Sequence, residues 1–282
     1  MKVLVTGGSG WLGSHLVSYL RNNHVVVNYD IKEGYDIRDL EMLKRVFASE
    51  GFDQVYHLAA QAFLGPGEEN PKRDLDINAG GMLNLLTCLE EYDIPMVYTS
   101  SGAVYGLSKV PHREDELCLP VSNYGVSKYA AENYLRKWVI TRDINARIVR
   151  FSSVYGPGRK HGPVNIFVNK ALQGAPLTVY GTGKQTRDMI YYMDAIRGVE
   201  MVLERGKKGE IYNLGSGIEH SVLDVARILD DIMDVEIVYV EHELAPFDLK
   251  RSWYDITKAQ KLGYIPGVGL REGIGLTIDG EQ

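Results

Sequence analysis

The sequence is poor in cysteine and has no long apolar run. Of its 282 residues, only Cys88 and Cys118 are cysteines, so a disulfide scaffold is not indicated. We expect both thiols to be reduced, with Cys88 in the core of a helix. No apolar stretch reaches membrane-spanning length, and residues 2–6 are typical of a first strand, not of a signal peptide. We therefore expect a cytoplasmic protein that does not act at a membrane.

An excess of positive charge is also missing. The formal net charge is -6 at pH 7, which argues against a nucleic-acid-binding surface because such a surface needs a basic patch. Nucleotide binding within a cleft stays possible. His242 and Glu243 have no second histidine at metal-ligand spacing, so we infer no metal site. There is no internal repeat or low-complexity tract, and the length is ample for a buried core.

What the sequence does contain is a glycine-rich turn between a strand and a helix. Residues 3–6 are apolar, and Gly7, Gly10 and Gly13 follow before an amphipathic helical pattern. This context is the one that a phosphate-binding loop requires. Gly7 permits the tight turn, Gly10 lets the backbone approach a pyrophosphate, and Gly13 lets the helix pack against the strand. The spacing differs from the commoner Gly-x-Gly-x-x-Gly, and an ordinary glycine turn is the alternative interpretation.

A second apolar run ends in an acid at Asp30. A carboxylate at this place accepts hydrogen bonds from ribose hydroxyls and repels a 2′-phosphate. The sequence therefore favours NAD over NADP, unless Asp30 is only a turn residue.

Tyr124 and Lys128 lie four residues apart, so both side chains share one face if residues 124–140 form a helix. Tyrosine ordinarily has a pKa near 10, so ionising Tyr124 near neutral pH needs about 4 kcal/mol of stabilisation. A nearby ammonium supplies part of it. The pair can then act as a base for an alcohol, with Ser101 orienting the substrate oxygen. In the alternative interpretation, Tyr124 packs at a helix start, Lys128 is a solvated charge and Ser101 caps a strand.

Strand-like and helical patterns alternate along the first half of the chain. Strands are predicted at residues 3–6, 25–30, 54–58, 96–100 and 146–151, and helices at 10–21, 39–50, 76–92 and 124–140. Residues 65–71 and 109–120 are predicted loops. This alternation predicts an α/β fold with a doubly wound parallel sheet, whose ligands bind at the carboxyl ends of the strands. Farther on, residues 164–172 and 221–233 are predicted helices, the latter capped by Ser221, and residues 177–179 a short strand.

Taken together, these residues resemble the extended short-chain dehydrogenase/reductase superfamily, and within it the NAD-dependent sugar-nucleotide epimerase/dehydratase group typified by UDP-galactose 4-epimerase. Further matching segments extend the resemblance over nearly the whole chain: 36–39 (Asp-Ile-Arg-Asp), 57–60 (His-Leu-Ala-Ala), 78–86, 99–106 (ending in Val-Tyr-Gly), 150–157, 176–188 and 212–215. The combination is specific for the superfamily and much less specific for the substrate.

The resemblance implies a Rossmann domain at residues 1–160, to which 188–215 return, and a smaller mixed α/β substrate-binding lobe at 161–187 and 216–282. It implies catalysis by Ser101, Tyr124 and Lys128. The implied cofactor-binding residues are Gly7, Gly10, Trp11, Leu12, Gly13, Asp30, Asp36, Ile37, Leu58, Ala59, Ala60, Asn78, Thr99, Tyr124 and Lys128. The implied substrate-binding residues are Ser101, Tyr124, Ser153, Tyr180 and Arg187. The implied substrate is a nucleotide sugar, expected to be a UDP-sugar. The resemblance also implies a homodimer, formed by the helices at 76–92 and 124–140.

The residues before Val-Tyr-Gly narrow the reaction that the resemblance implies. Relatives that eliminate water carry Thr-Asp-Glu before Val-Tyr-Gly, and relatives that decarboxylate hexuronic acids often carry Ser-Glu there, whereas this chain has Ser101, Gly102 and Ala103. The absence of an added acid favours 4-epimerisation through a transient 4-keto sugar. Two departures concern the substrate: Ser153 stands where the family usually has Asn, and Ala245 replaces a phosphate-binding arginine. Lys250 or Arg251 is a possible substitute for that arginine, and the alternative is a substrate other than an ordinary UDP-hexose.

Two other hypotheses stay open: a net NAD-dependent dehydrogenase or ketoreductase acting on a nucleotide sugar, and a regulatory protein that binds dinucleotide without turnover. His57 is expected to be a hydrogen-bonded core histidine. For Arg187, a surface salt bridge with Asp188 is the alternative to binding a diphosphate. For Tyr180, the alternative is packing within a strand.

Overall fold

The structure, a computed structural model, describes residues 1–241 and 249–282, and the chain divides into two units. Unit 1 comprises Met1–Leu107, Leu117–Arg150 and Val199–Tyr212. Unit 2 comprises Ser108–Glu116, Phe151–Gly198 and Asn213–Gln282. Ala245, one of the departures noted in the sequence, lies outside the described residues, as do His242 and Glu243.

Strands and helices alternate through the first half of the chain. The strands are β1 Lys2–Thr6, β2 Val25–Tyr29, β3 Gln54–His57, β4 Met96–Ser101, β5 Ala146–Phe151, β6 Ser153–Tyr155, β7 Leu177–Tyr180, β8 Thr186–Tyr191, β9 Ile211–Leu214, β10 Glu219–Ser221 and β11 Ile237–Val240. The helices are α1 Trp11–Leu20, α2 Leu40–Glu50, α3 Leu64–Glu69, α4 Pro71–Leu75, α5 Gly81–Leu89, α6 Asn123–Arg142, α7 Pro163–Leu172, α8 Tyr192–Arg205, α9 Val222–Met233, α10 Thr257–Gln260 and α11 Leu270–Glu281.

A six-stranded sheet in the order β2-β1-β3-β4-β5-β9 forms the centre of unit 1. The strands β2, β1, β3 and β4 pair in parallel. Because β1 has β2 on one side and β3 on the other, the chain reverses its direction of winding there, and ligands of such sheets bind at this switch point. The predicted doubly wound α/β fold is therefore confirmed.

Apolar side chains from this sheet and its helices make one core. Leu4 and Val55 of the sheet pack with Leu43 of α2, Leu85 of α5 and Leu135 of α6, all inaccessible to solvent. Both cysteines are free and buried, and Cys88 belongs to this core, as predicted. Across the described residues, none of the helices combines the length and the apolar character needed to traverse a bilayer.

The segment between β3 and α5 differs from the sequence prediction. Residues 65–71 were predicted as a loop, but α3 occupies most of them, with Pro66 and Gly67 inside its short span. The helix predicted at residues 76–92 instead begins with a π-helical turn, Asp76–Gly80, before α5. The predictions were wrong here because glycine and proline weaken a helix without preventing a single turn supported by tertiary contacts, and a π-turn has no distinct apolar period.

Two small sheets and a separate core form unit 2. The strand order is β10-β8-β6 in one sheet and β11-β7 in the other. Helix α9 begins with a capping box in which Ser221 and Asp224 bond each other's backbone N–H, so the predicted Ser221 cap is confirmed. The core joins Phe167 of α7, Leu229 of α9 and Ile274 of α11.

Candidate active site

The turn that follows β1 is built to receive an anionic group. Helix α1 starts at Trp11 with Gly10 as its N-cap, and no side chain caps it. Because glycine has no side chain that could cover the helix end, this N-terminus suits a phosphate. Gly13 is buried in the first turn, while Trp11 and Leu12 are partly exposed.

Gly7 fixes how closely this turn approaches the end of β3. Its φ is +74°, and a Cβ at this position would lie 2.6 Å from the Ala59 nitrogen, so no other residue fits without movement of the backbone. The Ala59 N–H donates to the Thr6 hydroxyl at 3.2 Å. The glycine turn and residues 58–60 thus form one backbone cradle at the switch point of the sheet, and this cradle fits the pyrophosphate of a dinucleotide.

Asp30 follows β2 directly and is buried. Its carboxylate accepts hydrogen bonds from the Ser9 N–H at 3.0 Å and from the Lys32 N–H at 2.9 Å. The acid therefore sits against the glycine turn, where an adenosine ribose would lie if the pyrophosphate occupies the cradle. Asp36 lies farther along the chain, and its carboxylate accepts hydrogen bonds from the Arg38 guanidinium. These hydrogen bonds hold the pKa of Asp36 below its usual range. Ile37, next to it, is buried.

The proposed catalytic side chains come from β4 and α6. Ser101 is the last residue of β4, and its hydroxyl accepts a hydrogen bond from the Ala103 N–H at 3.2 Å. Tyr124 lies in the first turn of α6, which is capped by Ser122, and is partly exposed. A Cβ on Gly125 would lie 2.5 Å from the Ala103 carbonyl oxygen. Glycine at this position therefore brings the start of α6 directly against the turn that follows Ser101.

Lys128 is buried one helical turn after Tyr124. Only 2% of its surface is exposed, and its ammonium donates to the Thr99 carbonyl oxygen at 2.8 Å. Burial lowers the pKa of Lys128 to about 7, against the opposing effect of Glu132 and Asp74. Because the group is removed from water, it is not a solvated surface charge, and its protonation can change near neutral pH.

Asn78 connects the end of β3 with α6. It is buried in the π-helical turn, and its amide nitrogen donates to the Ser127 hydroxyl at 2.8 Å and to the Gln61 carbonyl oxygen at 3.1 Å. Its amide oxygen accepts from the Gln61 N–H at 2.9 Å. Irregular π-turns are frequent at functional sites, and this one joins residues 58–61 to the helix of Tyr124.

Sequence reasoning missed Gln61, Asp74 and Ser127, which complete this network. Asp74 is 1% exposed, and its carboxylate accepts from the Gln61 side chain at 3.0 Å and from Asn78 at 3.4 Å. The only available signal was the spacing of Asp74 and Asn78, which are one helical turn apart.

His57 is a core histidine, as predicted. It is buried, its Nδ1 lies 2.7 Å from the Thr6 hydroxyl, and burial together with the Lys128 charge lowers its pKa to about 3. A histidine held neutral in this way does not change its charge near neutral pH.

The expected substrate-binding residues other than Ser101 and Tyr124 lie in unit 2. Ser153 begins β6 and is partly exposed, Tyr180 ends β7 and is half exposed, and Arg187 is in β8. The Arg187 guanidinium donates to the carbonyl oxygens of Thr186 at 2.7 Å and Leu249 at 2.8 Å.

The carboxylate of Asp188, next to Arg187, is buried. It accepts from the Ser216 N–H at 2.7 Å, from the Ser216 hydroxyl at 2.8 Å and from the Gly217 N–H at 3.0 Å. Of the two candidate replacements for the missing arginine, Arg251 is bound in a fork by Glu219, with both bonds at 2.7 Å, whereas Lys250 is exposed. The described residues bring no group of three or more His, Cys, Asp or Glu side chains together as metal ligands.

Known proteins share both the sequence pattern and the fold. The family model of the NAD dependent epimerase/dehydratase family matches residues 3–215. A putative UDP-glucose 4-epimerase from Methanocaldococcus jannaschii is 34% identical, over 96% of this chain and 95% of that protein. The crystal structure of UDP-glucose 4-epimerase from Thermotoga maritima with UDP-glucose has a TM-score of 0.92 and is 32% identical, covering 99% of this chain and 98% of the other.

An acidic sugar is found in another similar structure. UDP-glucuronic acid 4-epimerase from Bacillus cereus, in complex with UDP-glucuronic acid and NAD, has a TM-score of 0.90 and is 30% identical, covering 99% of this chain and 98% of the other. The relatives thus act on the same class of molecule and differ in the sugar. This chain belongs to the NAD dependent epimerase/dehydratase family.

Proposed function

We propose that this protein is an NAD-dependent nucleotide-sugar 4-epimerase in which Tyr124 is the base. The observation that carries the proposal is the buried Lys128 ammonium, one turn after Tyr124 on α6, with Gly125 holding that helix against the turn after Ser101. A buried cation beside a phenol favours the phenolate. This packing supports a role in alcohol oxidation for Ser101, at the end of β4, together with Tyr124 and Lys128 in the first turns of α6.

In the proposed reaction, the Tyr124 phenolate removes the proton from the C4 hydroxyl of the sugar. Ser101 donates a hydrogen bond to the same oxygen, and Lys128 stabilises the phenolate. NAD, when bound, supplies the acceptor for the C4 hydride and later returns that hydride. The 4-keto sugar rotates in the site, so that the hydride returns to its other face. Tyr124, now a phenol, then gives its proton back to the sugar oxygen. The cofactor and the base thus end each cycle as they began it.

The turn after Ser101 supports epimerisation over elimination or decarboxylation. Residues Gly102–Val104 form a 3₁₀ turn, and none of their side chains can accept or donate a proton. Removing water or carbon dioxide from the sugar needs a further acid or base near C5 or C6, and this turn supplies none.

A UDP-sugar is the proposed substrate class. UDP-glucose and UDP-glucuronic acid appear with the similar epimerases, and the Arg187 guanidinium of unit 2 has the fork geometry suited to a diphosphate. We propose Lys250 as the replacement for the arginine missing at position 245, because Glu219 already occupies the Arg251 guanidinium.

Epimerisation can be tested with a panel of sugar nucleotides. Purified protein with NAD would be incubated with UDP-glucose, UDP-glucuronic acid and dTDP-, GDP- and CDP-sugars, and the products followed by NMR. The expected result is a C4 epimer with no net NADH absorbance. NADH accumulating in step with product would identify a net dehydrogenase instead, and NAD binding without conversion of any sugar would favour a regulatory protein.

The role of Tyr124 can be tested with Tyr124→Phe. We expect turnover to fall by about 10²–10⁴-fold, the range of general acid-base contributions, while NAD binding measured by calorimetry stays near wild type. Tyr129→Phe is the matched control, because Tyr129 is on the same helix and partly exposed. Retained turnover in Tyr124→Phe would refute the assignment.

We also propose a homodimer that uses α5 and α6. Helix α6 exposes Val126, Tyr134 and Ile140, the last with 82% of its surface accessible, and apolar side chains are typical of such interfaces. Light scattering after size-exclusion chromatography should give twice the mass of the chain.

A further inference from the structure

Asp74 is a carboxylate that the reaction described above does not use. It lies on α4, is almost fully buried, and has no arginine or lysine among its hydrogen-bond partners within the described residues. Burying a charge without compensation is costly. A neighbouring positive charge would offset the cost of burying the Asp74 carboxylate.

The network around Asp74 directs it toward α6. The side-chain amides of Gln61 and Asn78 both donate to the same carboxylate oxygen of Asp74, Oδ1, and Asn78 also donates to the hydroxyl of Ser127. Ser127 directly precedes Lys128, and α4 packs against α6. Residue 67 adds to this packing, since a Cβ on Gly67 would lie 3.2 Å from an Asp74 oxygen and 3.4 Å from the Tyr124 nitrogen.

We propose that Asp74 is a positioning residue of the proton-transfer site: its carboxylate, seated by Gln61 and Asn78 beside the helix of Tyr124, keeps the Lys128 side chain an ammonium. The proposal rests on the proposed function for its catalytic consequence. The electrostatic coupling of Asp74 and Lys128 stands independently of the sugar or of turnover.

Two acids raise the pKa of Lys128, and Glu132, on the same helix, has a larger effect than Asp74. Glu132 is paired with Arg150 through bonds of 2.6 and 3.0 Å, whereas Asp74 has no bonded cation of its own among the described residues. His57 on β3 is neutral, and Tyr98 on β4 presents its ring. Tyr124 is the base itself.

The pKa directions of both groups support the proposal. The Asp74 carboxylate raises the pKa of Lys128 and so opposes the lowering caused by burial. Burial raises the pKa of Asp74 and Glu68 adds to this effect, whereas Ser127, Lys128 and Asn78 oppose it. Loss of the Asp74 charge should thus make Lys128 release its proton at lower pH, where the neutral amine no longer stabilises the Tyr124 phenolate.

Lysine NMR tests the coupling directly. In the NAD-bound protein labelled with ¹³C-lysine, the Cε signal of Lys128 would be assigned by its loss in Lys128→Met and then titrated. Asp74→Asn should move its midpoint down by about one pH unit, the scale of a close opposite charge. Asp76→Asn, which removes an exposed acid from the same segment, should leave the midpoint in place. An unchanged midpoint in Asp74→Asn would overturn the proposal.

The pH profile of kcat/KM tests the catalytic consequence. In Asp74→Asn the alkaline limb should move to lower pH with the Lys128 midpoint, and Asp74→Glu, which restores the charge, should move it back. An equal loss of activity at every pH would indicate a merely structural role and refute the proposal. If Asp74→Asn does not fold, Asp74→Ser removes the charge while keeping an acceptor for Gln61. A shifted midpoint in a protein that converts no sugar would leave the coupling standing and refute the proposed function alone.

Discussion

The ammonium of Lys128 lies 4.4 Å from the centroid of the Tyr98 ring. Tyr98 in turn stacks on His57, with ring centroids 5.3 Å apart. A cation over an aromatic face gains up to about 2 kcal/mol when both are desolvated. The ring therefore forms one wall of the Lys128 pocket and helps to offset the cost of burying its charge.

Two substitutions of Tyr98 separate the ring from its hydroxyl. The hydroxyl is buried without a hydrogen-bond partner among the described residues, so Tyr98→Phe should keep wild-type turnover and raise the free energy of unfolding by up to about 1 kcal/mol. Tyr98→Leu removes the ring and should move the alkaline limb of the pH profile to lower pH. Thermal unfolding and the pH dependence of kcat/KM give both readouts. Identical profiles for the two variants would show that the ring does not act on Lys128.

His57 makes the stability of the protein depend on pH. Its pKa is about 3 in the folded protein and near 6.5 when unfolded, so between these values the unfolded chain binds a proton that the folded chain does not. The contribution of His57 to the free energy of unfolding should therefore be fully present above pH 6.5. It should be lost as the pH drops below that value, by roughly 1 kcal/mol per pH unit. Urea unfolding between pH 7 and 5 should show a weaker dependence in His57→Asn, which keeps a polar group near Thr6. Equal slopes would mean that His57 does not cause the effect.

The sequence was sufficient to predict the elements that position the site. Apolar runs that end at a glycine turn, an acid or a serine predicted β1, β2 and β4, because the apolar character of a strand is a local signal. The runs of β1 and β4 are largely buried in the parallel sheet, whereas β2 lies at its edge and is partly exposed. The pairing of Tyr124 with Lys128 likewise depends only on helical spacing. These features needed no knowledge of distant contacts.

Asp74 could not be predicted in the same way. A short segment rich in Lys, Arg and Asp is typical of an exposed surface. Asp74 is nevertheless buried, because it contacts Gln61, which is distant in sequence, and Asn78, which lies in the irregular π-helical turn. The burial of Lys128 is another such case. Its depth depends on Tyr98 and Thr99, so its pKa could not follow from spacing alone.

Asp30 should set the preference for NAD over NADP. Its carboxylate would face the 2′-position of a ribose placed beside the glycine turn, and like charges brought together cost several kcal/mol. Asp30→Asn removes the charge while keeping an oxygen acceptor, so the ratio of NADP to NAD affinity should rise by at least about tenfold. Calorimetric titration with both dinucleotides measures it. Glu33→Gln, which alters an exposed acid bonded to the same Ser9, is the control, and an equal rise there would assign the effect to general charge.

Glu132 and Arg150 form a buried ion pair in unit 1 that should be costly to break. Their side chains are 0% and 2% exposed, and the guanidinium also lies 4.7 Å from the Tyr105 ring centroid. Removing one member leaves the other charge buried and unpaired, so Glu132→Gln should cost about 3–5 kcal/mol of unfolding free energy in urea. Glu90→Gln, which breaks the exposed pair with Arg142, should cost less than about 1 kcal/mol.

The double variant Glu132→Leu with Arg150→Met separates the net contribution of this ion pair to the free energy of unfolding from the cost of removing only one of its charges. With both charges gone, apolar side chains of similar size fill the space, and the double variant should be more stable than Glu132→Gln alone. A double variant less stable than the single one would mean that the pair itself contributes net stability. Because Arg150 neutralises Glu132, the double variant should leave the alkaline limb of the pH profile near its wild-type position. Glu132→Gln alone leaves the Arg150 charge unpaired and should move that limb to lower pH.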